Sequence, residues 1–263
     1  MWYNFSMASG SRKIIVGNWK MNPSSAMAAV KIFDEIKIIA AKLRRTQTVI
    51  CPPLLYLESL RKKIRGNKIF LGAQNVFWGK GTGPFTGEVS AEQILSSGAT
   101  YVIVGHSERR ALGETDELIN KKTSTALKAG LRVILCVGEK SRDKDGAHLD
   151  IVASQLLGGL DKIQRRYFLN IVLAYEPVWA IGAEAKGADS PSDAYRMAIF
   201  LRKVFAEVAG NDLALSTPII YGGSVNAENA GEFLKQGFDG LLIGRESLNP
   251  KHFNEILKQA SDV

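Results

Sequence analysis

Residues 218–245 read PIIYGGSVNAENAGEFLKQGFDGLLIGR. A short apolar run at 218–221 is followed by a stretch with helical periodicity at 226–236 and by a second apolar run at 240–243. This order predicts two parallel strands joined by a crossover helix. Glycine or polar residues come directly after each apolar run, which predicts chemically active loops at the carboxyl ends of the strands.

The same strand–helix order occurs eight times along the chain. The predicted strands are 14–17, 48–51, 69–72, 101–104, 133–137, 171–174, 218–221 and 240–243. The predicted helices are 26–44, 54–64, 90–97, 115–129, 148–165, 192–208, 226–236 and 250–260. Eight such units in roughly 250 residues favour a closed (β/α)₈ barrel over an open doubly wound sheet. Since no Pro- or Ser-rich linker divides the chain, we expect one α/β domain over residues 12–263, preceded by a leader at 1–11.

The composition is that of a soluble globular protein, with 46% hydrophobic and 23% charged residues. Two cysteines cannot form a disulfide framework, and three widely separated histidines do not suggest a zinc site. The apolar runs are shorter than the ~20 residues of a membrane span, and residues 1–11 lack the features of a signal peptide. We therefore expect a cytoplasmic protein without a metal or a membrane partner.

The formal net charge of +8 arises from the first quarter of the chain. Residues 1–70 hold 13 Lys and Arg against 3 Asp and Glu, whereas residues 71–263 hold 21 against 23. Most of the surplus falls in helical stretches, and no aromatic stacking platform or recognition helix accompanies it. This pattern favours solvated helix faces over a nucleic-acid surface, so no nucleic-acid partner is expected.

Polar residues follow seven of the predicted strands. In a barrel of parallel strands these positions converge on the face where active sites of this fold lie. They are Asn18–Trp19–Lys20, Gln74–Asn75, His106–Ser107–Glu108, Glu139, Glu176–Pro177, Gly222–Gly223–Ser224 and Gly244–Arg245.

Four of these residue types suit proton abstraction next to a carbonyl group. Glu176 is a candidate general base, although an exposed carboxylate or a salt bridge would explain it equally simply. His106 is the histidine that ends a strand and can donate a hydrogen bond to a substrate oxygen. Lys20 supplies a fixed cation, and Asn18 supplies a neutral donor.

The glycines after the seventh and eighth strands predict a phosphate site, because backbone N–H groups of such loops and of the short helices behind them face an anion in this fold. Either glycine group alone would suggest only a tight turn. No nucleotide fingerprint, phosphate-binding P-loop or metal cluster is visible, so no cofactor is expected. The residues therefore indicate a small phosphorylated carbonyl compound as the substrate.

Longer motifs carry a closer resemblance. In order they are GNWKMN (17–22), GAQN (72–75), FTGE (85–88), GHSERR (105–110), CVGE (136–139), AYEPVWAIG (174–182), YGGSVN (221–226) and LIG (242–244). Through these motifs the chain resembles the triosephosphate isomerase family from residue 13 to the last helix. The resemblance implies interconversion of dihydroxyacetone phosphate and D-glyceraldehyde 3-phosphate through an enediolate, without a cofactor.

The resemblance also implies a role for individual residues. Glu176 matches the catalytic base, His106 the electrophile, Lys20 the stabilising cation and Asn18 its neighbour at the substrate. This family is itself the standard example of a neutral histidine held at a helix N-terminus. The resemblance further implies that backbone N–H groups of Gly182, Ser224 and Gly244, with that of Arg245 beside them, bind the phosphate. Glu108 and Cys136 match residues that support the site. Thr86 matches a residue in a loop that enters a second subunit. For Cys136, a small buried core residue is an equal alternative. A homodimer, or a higher assembly of the same chain, is the implied partner.

Four features depart from the family pattern. The lid after Glu176 continues as AEAKGADSP, which is two residues longer than usual and brings Glu184 into it. Arg245 stands where a second glycine is usual, Pro84 replaces an alanine before FTGE, and the leader has no counterpart. The guanidinium of Arg245 either adds charge to the phosphate site or pairs with Glu246 or another acid.

Two other functions fit the fold. One is a different phosphosugar isomerase, which the altered lid would permit, and the other is a weakly active barrel that serves as a binding protein. The presence of Asn18, Lys20, His106 and Glu176 together argues against the binding protein.

Overall fold

The computed structural model describes residues 12–66, 68–142, 145–181 and 189–263. These residues form a closed barrel of eight parallel strands, in which each strand pairs with the next along the chain and β8 pairs with β1. The strands are β1 (Lys13–Asn18), β2 (Thr46–Cys51), β3 (Ile69–Ala73), β4 (Tyr101–Val104), β5 (Arg132–Val137), β6 (Ile171–Tyr175), β7 (Ile219–Tyr221) and β8 (Gly240–Ile243). The predicted single (β/α)₈ barrel is confirmed.

Helices surround the strands. The long ones are α1 (Ala26–Ala40), α5 (Asp116–Ala129), α6 (Ala147–Leu160), α7 (Pro191–Ala209) and α10 (Pro250–Asp262). The short ones are α2 (Leu57–Arg61), α3 (Ala91–Ser96), α4 (Ser107–Ala111), α8 (Asn211–Ser216) and α9 (Ala230–Gln236). The predicted leader at residues 1–11 lies outside the described part of the chain.

Buried side chains form two layers because successive residues of a strand point to opposite faces. In β1, Ile14 and Val16 point into the barrel, where they join residues such as Tyr101 and Cys136. Ile15 points outward into the larger core between the strands and the helices, where residues such as Phe33 of α1 are also buried. Burial on both faces explains why the strands read as continuous apolar runs.

Local hydrogen bonds fix where several helices begin. The Ser90 hydroxyl accepts from the backbone N–H of Gln93, and the Gln93 side chain accepts from the N–H of Ser90, which completes a capping box before α3. Ser190 caps α7 in the same way through the N–H of Asp193, and Pro191 occupies the first turn.

Three predicted helices have wrong ends. The helix predicted at 26–44 ends at Ala40, since the chain must turn before β2 begins at Thr46. The helix predicted at 148–165 ends at Leu160, because Asp161 leaves the helical region with ψ of 131° and Lys162 has φ of +55°. The helix predicted at 54–64 is a 3₁₀ turn followed by the short α2.

The loop after β7 also differs from the prediction. A helix was expected from residue 226, but α9 begins at Ala230. The side chain of Asn229 accepts from the N–H of Asn226, and the side chain of Asn226 accepts from the N–H groups of Glu228 and Asn229. These side-chain hydrogen bonds satisfy backbone N–H groups in a turn, so the helix begins later in the chain than predicted. The prediction of a helix N-terminus directly after the glycines that follow β7 is therefore wrong. After β8, by contrast, a 3₁₀ helix (Arg245–Leu248) begins immediately after Gly244.

Candidate active site

The carboxyl ends of the strands surround a cavity of about 520 Å³. Seven of the predicted site residues line it, namely Asn18, Lys20, His106, Glu176, Ser224, Gly244 and Arg245. Glu108 and Cys136 lie behind this lining and contact it through Lys20 and Glu176, respectively. The predicted phosphate ligand Gly182 and the lid residue Glu184 lie outside the described residues.

His106 is held in one orientation at the end of β4. Gly105 before it has φ of +77°, which lets the chain turn sharply so that His106 becomes the N-cap of α4. The backbone N–H of Glu108 donates to His106 Nδ1 at 3.2 Å. In this contact Nδ1 is the acceptor, so Nε2 is the ring nitrogen left to donate a hydrogen bond. The Glu108 carboxylate is 3.8 Å from Nδ1, which is too long for a hydrogen bond.

Glu176 is 2% exposed and directly follows β6, next to His106. Its Oε2 accepts from the backbone N–H of Ser107 at 3.0 Å. Its Oε1 lies 3.4 Å from His106 Nε2 and has no hydrogen-bond partner among the described residues. Burying a carboxylate oxygen without a hydrogen-bond donor costs free energy unless another group supplies the donor. Because Glu176 lines the cavity, a molecule bound there can reach this oxygen.

Lys20 adopts a constrained backbone conformation with φ of +53°. Its N–H donates to Asn18 Oδ1, and its carbonyl accepts from the side-chain amide of Gln74, which also donates to the carbonyl of Cys51. Its ammonium group contacts Glu108 Oε1 at 2.7 Å. Such strain persists only where the surroundings impose it, and here three neighbouring segments fix the position of the cation. The expected link between Glu108 and the lysine is present.

The glycine loops after β7 and β8 line one side of the cavity. A Cβ atom added at Gly222 would lie 2.9 Å from Cγ of Glu176, so this glycine leaves room for the candidate base. The Ser224 hydroxyl donates to the carbonyl of Ala180, and the Asn229 amide donates to the carbonyl of Ser224. A Cβ atom at Gly244 would lie 3.3 Å from Cε of Lys20. The β8 loop and the lysine are therefore immediate neighbours.

Cys136 belongs to the barrel interior and is fully buried. Burial, followed by the nearby Glu176 carboxylate, raises the pKa of its thiol well above the usual value. Cys136 is therefore a core side chain that also contacts the candidate base, and its role in the site stays a prediction.

Thr86 lies away from the cavity in an exposed segment. Phe77, Trp78 and Phe85 pack against one another there, with ring centroids 4.6–6.3 Å apart. Trp78 and Phe85 remain more than 40% exposed. The segment therefore presents aromatic surface, while the role of Thr86 stays a prediction.

One buried network was not anticipated. Glu139 is fully buried after β5, and its Oε1 accepts from Tyr175 Oη at 2.9 Å, from Trp179 Nε1 at 2.9 Å and from Arg142 Nε at 3.1 Å. Arg142 also pairs with Asp189, just before α7, at 2.8 Å. Glu139 was recognised as a polar residue at a strand end, but its partners carry no local signal, since they meet only in the folded barrel.

Comparison with known proteins agrees with this geometry. The family model described as triosephosphate isomerase matches residues 13–260. The chain belongs to the triosephosphate isomerase family. This confirms the resemblance that the motifs carry.

Curated relatives named triosephosphate isomerase align over nearly their whole length. The protein of Dictyoglomus thermophilum is 41% identical over 252 residues, which cover 94% of this chain and 99% of the relative. The protein of Flavobacterium johnsoniae is 41% identical over 249 residues, covering 94% and 98%. The protein of Dehalococcoides mccartyi is 40% identical over 256 residues, covering 95% and 98%. Each of these alignments covers nearly all of this chain and nearly all of the relative.

None of the helices in the described part of the chain is both long and apolar enough to cross a bilayer. The same residues include no group of three or more His, Cys, Asp and Glu side chains arranged to hold a metal ion.

Proposed function

We propose that the protein interconverts dihydroxyacetone phosphate and D-glyceraldehyde 3-phosphate by proton transfer through an enediolate. One observation carries the proposal. Oε1 of buried Glu176, which has no hydrogen-bond partner among the described residues, lies 3.4 Å from Nε2 of His106, and both residues line a cavity that Lys20 also lines. Membership of the triosephosphate isomerase family supports the choice of substrate.

In the proposed reaction, Glu176 removes a proton from the carbon next to the substrate carbonyl. The Nε2–H of His106 donates to the carbonyl oxygen while negative charge develops on it, and Lys20 stabilises that charge. The electron pair of the broken C–H bond becomes the C=C bond of the enediolate. The protonated Glu176 then returns its proton to the former carbonyl carbon. His106 passes the hydroxyl proton of the first carbon to the former carbonyl oxygen, which gives the isomer and restores both side chains.

The roles of the remaining residues belong to the same proposal. Backbone N–H groups near Ser224, Gly244 and Arg245 hold the phosphate, and Gly182 adds another. Asn18 and Glu108 keep Lys20 in place, which agrees with their contacts to its N–H and its ammonium group.

We also infer that the segment after Glu176 closes over the substrate and that Trp179 belongs to its first hinge. The indole N–H of Trp179 donates to buried Glu139, and the N–H of Val178 donates to the Glu139 carbonyl at 2.9 Å. These two bonds anchor the start of the segment to the end of β5. Closure would exclude water from the reactive enediolate.

A homodimer, or a higher assembly of this chain, in the cytoplasm completes the proposal. The exposed Trp78 and Phe85 beside Thr86 offer an aromatic surface that a second copy would cover. Two buried, unpaired thiols are suited to a reducing compartment. Light scattering of the purified protein tests the assembly, and a mass equal to one chain at micromolar concentration would overturn it.

The function is tested by supplying glyceraldehyde 3-phosphate and following the dihydroxyacetone phosphate formed through its NADH-linked reduction. We expect kcat/KM above about 10⁶ M⁻¹s⁻¹, within the usual range for enzymes. In D₂O, the product should carry solvent deuterium at the carbon that receives the returned proton. A rate equal to that without protein would overturn the proposal.

A further inference from the structure

Four charged side chains line the cavity within the described part of the chain, namely Lys20, Arg245, Glu176 and Glu246. Three of them already have a polar partner. Lys20 pairs with Glu108 at 2.7 Å, Glu176 accepts from the N–H of Ser107, and Glu246 lies 2.6 Å from Nδ1 of His252.

Arg245 differs from the other three. It is exposed, and its guanidinium makes no hydrogen bond or ion pair with the residues that the structure describes. The adjacent acid, Glu246, lies against His252 on the first turn of α10 instead. Of the two expectations for this arginine, pairing with Glu246 is therefore wrong, and its charge is available to a ligand.

The position of Arg245 places that charge near the proposed phosphate. Arg245 is the first residue of the 3₁₀ helix behind β8 and follows Gly244 directly. Gly244 adjoins Cε of Lys20, and Arg245 lines the same cavity as that lysine.

Arg245 is one of the two cations that offset the two carboxylates in the described lining of the cavity. With Arg245, the two cations and the two carboxylates cancel, whereas without it the lining would carry one net negative charge. A phosphate monoester is close to a dianion at neutral pH, and an approaching dianion is repelled by a net negative site. Backbone N–H groups alone supply no full charge to offset this.

We propose that Arg245 is a second cation for the substrate phosphate, which sets substrate capture and affinity and leaves the chemical step unchanged. This rests on the proposed function and adds the source of its anion specificity. The phosphate keeps its charge from substrate to transition state, so a contact to it contributes equally to both. Loss of the contact should therefore raise KM and leave kcat alone.

The test compares Arg245→Gln with the unchanged protein, using triose phosphate turnover and inhibition by inorganic phosphate. We expect KM and the phosphate inhibition constant each to rise about tenfold, equivalent to about 1.4 kcal/mol, with kcat within about twofold. Between ionic strengths of about 0.01 M and 0.15 M, the variant should lose less kcat/KM than the unchanged protein, because the Debye length falls from ~30 Å to ~8 Å and screens a charge that the variant lacks.

Two further variants separate local from general effects. Lys203→Gln removes the same charge from an exposed position of α7 outside the cavity and should leave all three measurements unchanged. Arg245→Lys keeps the charge and should recover most of the salt dependence, although it lacks the paired donors of the guanidinium.

An unchanged KM and phosphate inhibition constant in Arg245→Gln would overturn the inference. A lower kcat at unchanged KM would also overturn it, since that result indicates a structural role for the 3₁₀ helix. If the unchanged protein does not isomerise trioses, calorimetric titration with inorganic phosphate still tests Arg245, so failure of the function and failure of this inference are distinguishable.

Discussion

Gly138 offers a direct way to move the candidate base without changing its side chain. It follows β5 and lies against the backbone of Glu176 on the neighbouring strand. A Cβ atom added here would lie 1.8 Å from the carbonyl oxygen of Glu176 and 2.5 Å from its carbonyl carbon. Since real Cβ atoms essentially never approach closer than 3.0 Å, Gly138→Ala requires a separation of at least 1.2 Å, the difference between 3.0 and 1.8 Å.

The surroundings leave little room for the alanine to move instead. The N–H and C=O of Gly138 are both hydrogen-bonded to the side chain of Gln155 in α6, at 2.8 and 3.1 Å. The N–H of Glu176 donates to the carbonyl of Val137 at 2.9 Å. The required separation must therefore be shared between the hydrogen-bonded segments that follow β5 and β6, and the segment after β6 carries Glu176.

We expect Gly138→Ala to lower kcat/KM about 100-fold, because a misplacement of ~1 Å has an effect of that size in a preorganised site. Overpacking should also lower the free energy of unfolding by about 1–3 kcal/mol. Coupled turnover assays measure the first effect, and urea unfolding followed by circular dichroism measures the second.

Gly159→Ala is the matched control. Gly159 lies within α6, and a Cβ atom there would meet Leu135 at 3.5 Å, an ordinary contact. Alanine is the better helix former by about 1 kcal/mol, so this variant should keep full activity and equal or greater stability. If Gly138→Ala matched the control in activity and stability, the placement of Glu176 described above would be refuted.

Three further features of the structure can be tested by substitution or chemical labelling. Lys122→Met removes one of the two cations that donate to Glu114, the other being Arg109. Because Lys122 and Glu114 are both buried, urea unfolding should show a loss of about 2 kcal/mol, and a loss below ~1 kcal/mol would contradict the pair. Trp179→Phe removes a hydrogen-bond donor to buried Glu139, so the free energy of unfolding should fall by about 1.5 kcal/mol and kcat should change. An unaltered unfolding midpoint and an unaltered kcat would argue against the hinge. Because burial raises the pKa of the Cys136 thiol, mass spectrometry should find it unmodified after iodoacetamide treatment of the folded protein at about pH 8.5, and rapid alkylation would count against its placement.

The fold and the main site could be predicted because both are encoded locally. Each strand is buried on both faces, so its sequence is a short apolar run. The strands predicted at 101–104 and 240–243 have the bounds that the structure shows. Polar residues directly after the strands, such as His106 and Glu176, must meet at one face once the strands are parallel and closed.

The parts that were wrong or missing depend on contacts between distant segments. Nothing near Glu139 in the sequence shows that Tyr175 and Trp179 will donate to it, or that Arg142 will bridge it to the start of α7. The short α4 and α8 were not predicted, because one or two turns leave too little periodicity to recognise.

Side-chain turns are another limit of sequence reasoning. At 226–229, two asparagines bond to nearby backbone N–H groups and postpone α9, although the composition is compatible with an earlier start. The partner of Arg245 could not be predicted for a related reason, since the Glu246 carboxylate contacts His252 and not the adjacent Arg245.

The central claim is that Glu176 carries the proton, and Glu176→Gln tests it most directly. The glutamine oxygen can still accept from the N–H of Ser107, so the free energy of unfolding should change little, while an amide cannot act as a base. We predict that kcat in the glyceraldehyde 3-phosphate assay falls by about 10³-fold or more and that solvent deuterium no longer enters the product at an enzymatic rate. A kcat within about tenfold of the unchanged protein, with the fold intact, would contradict the account.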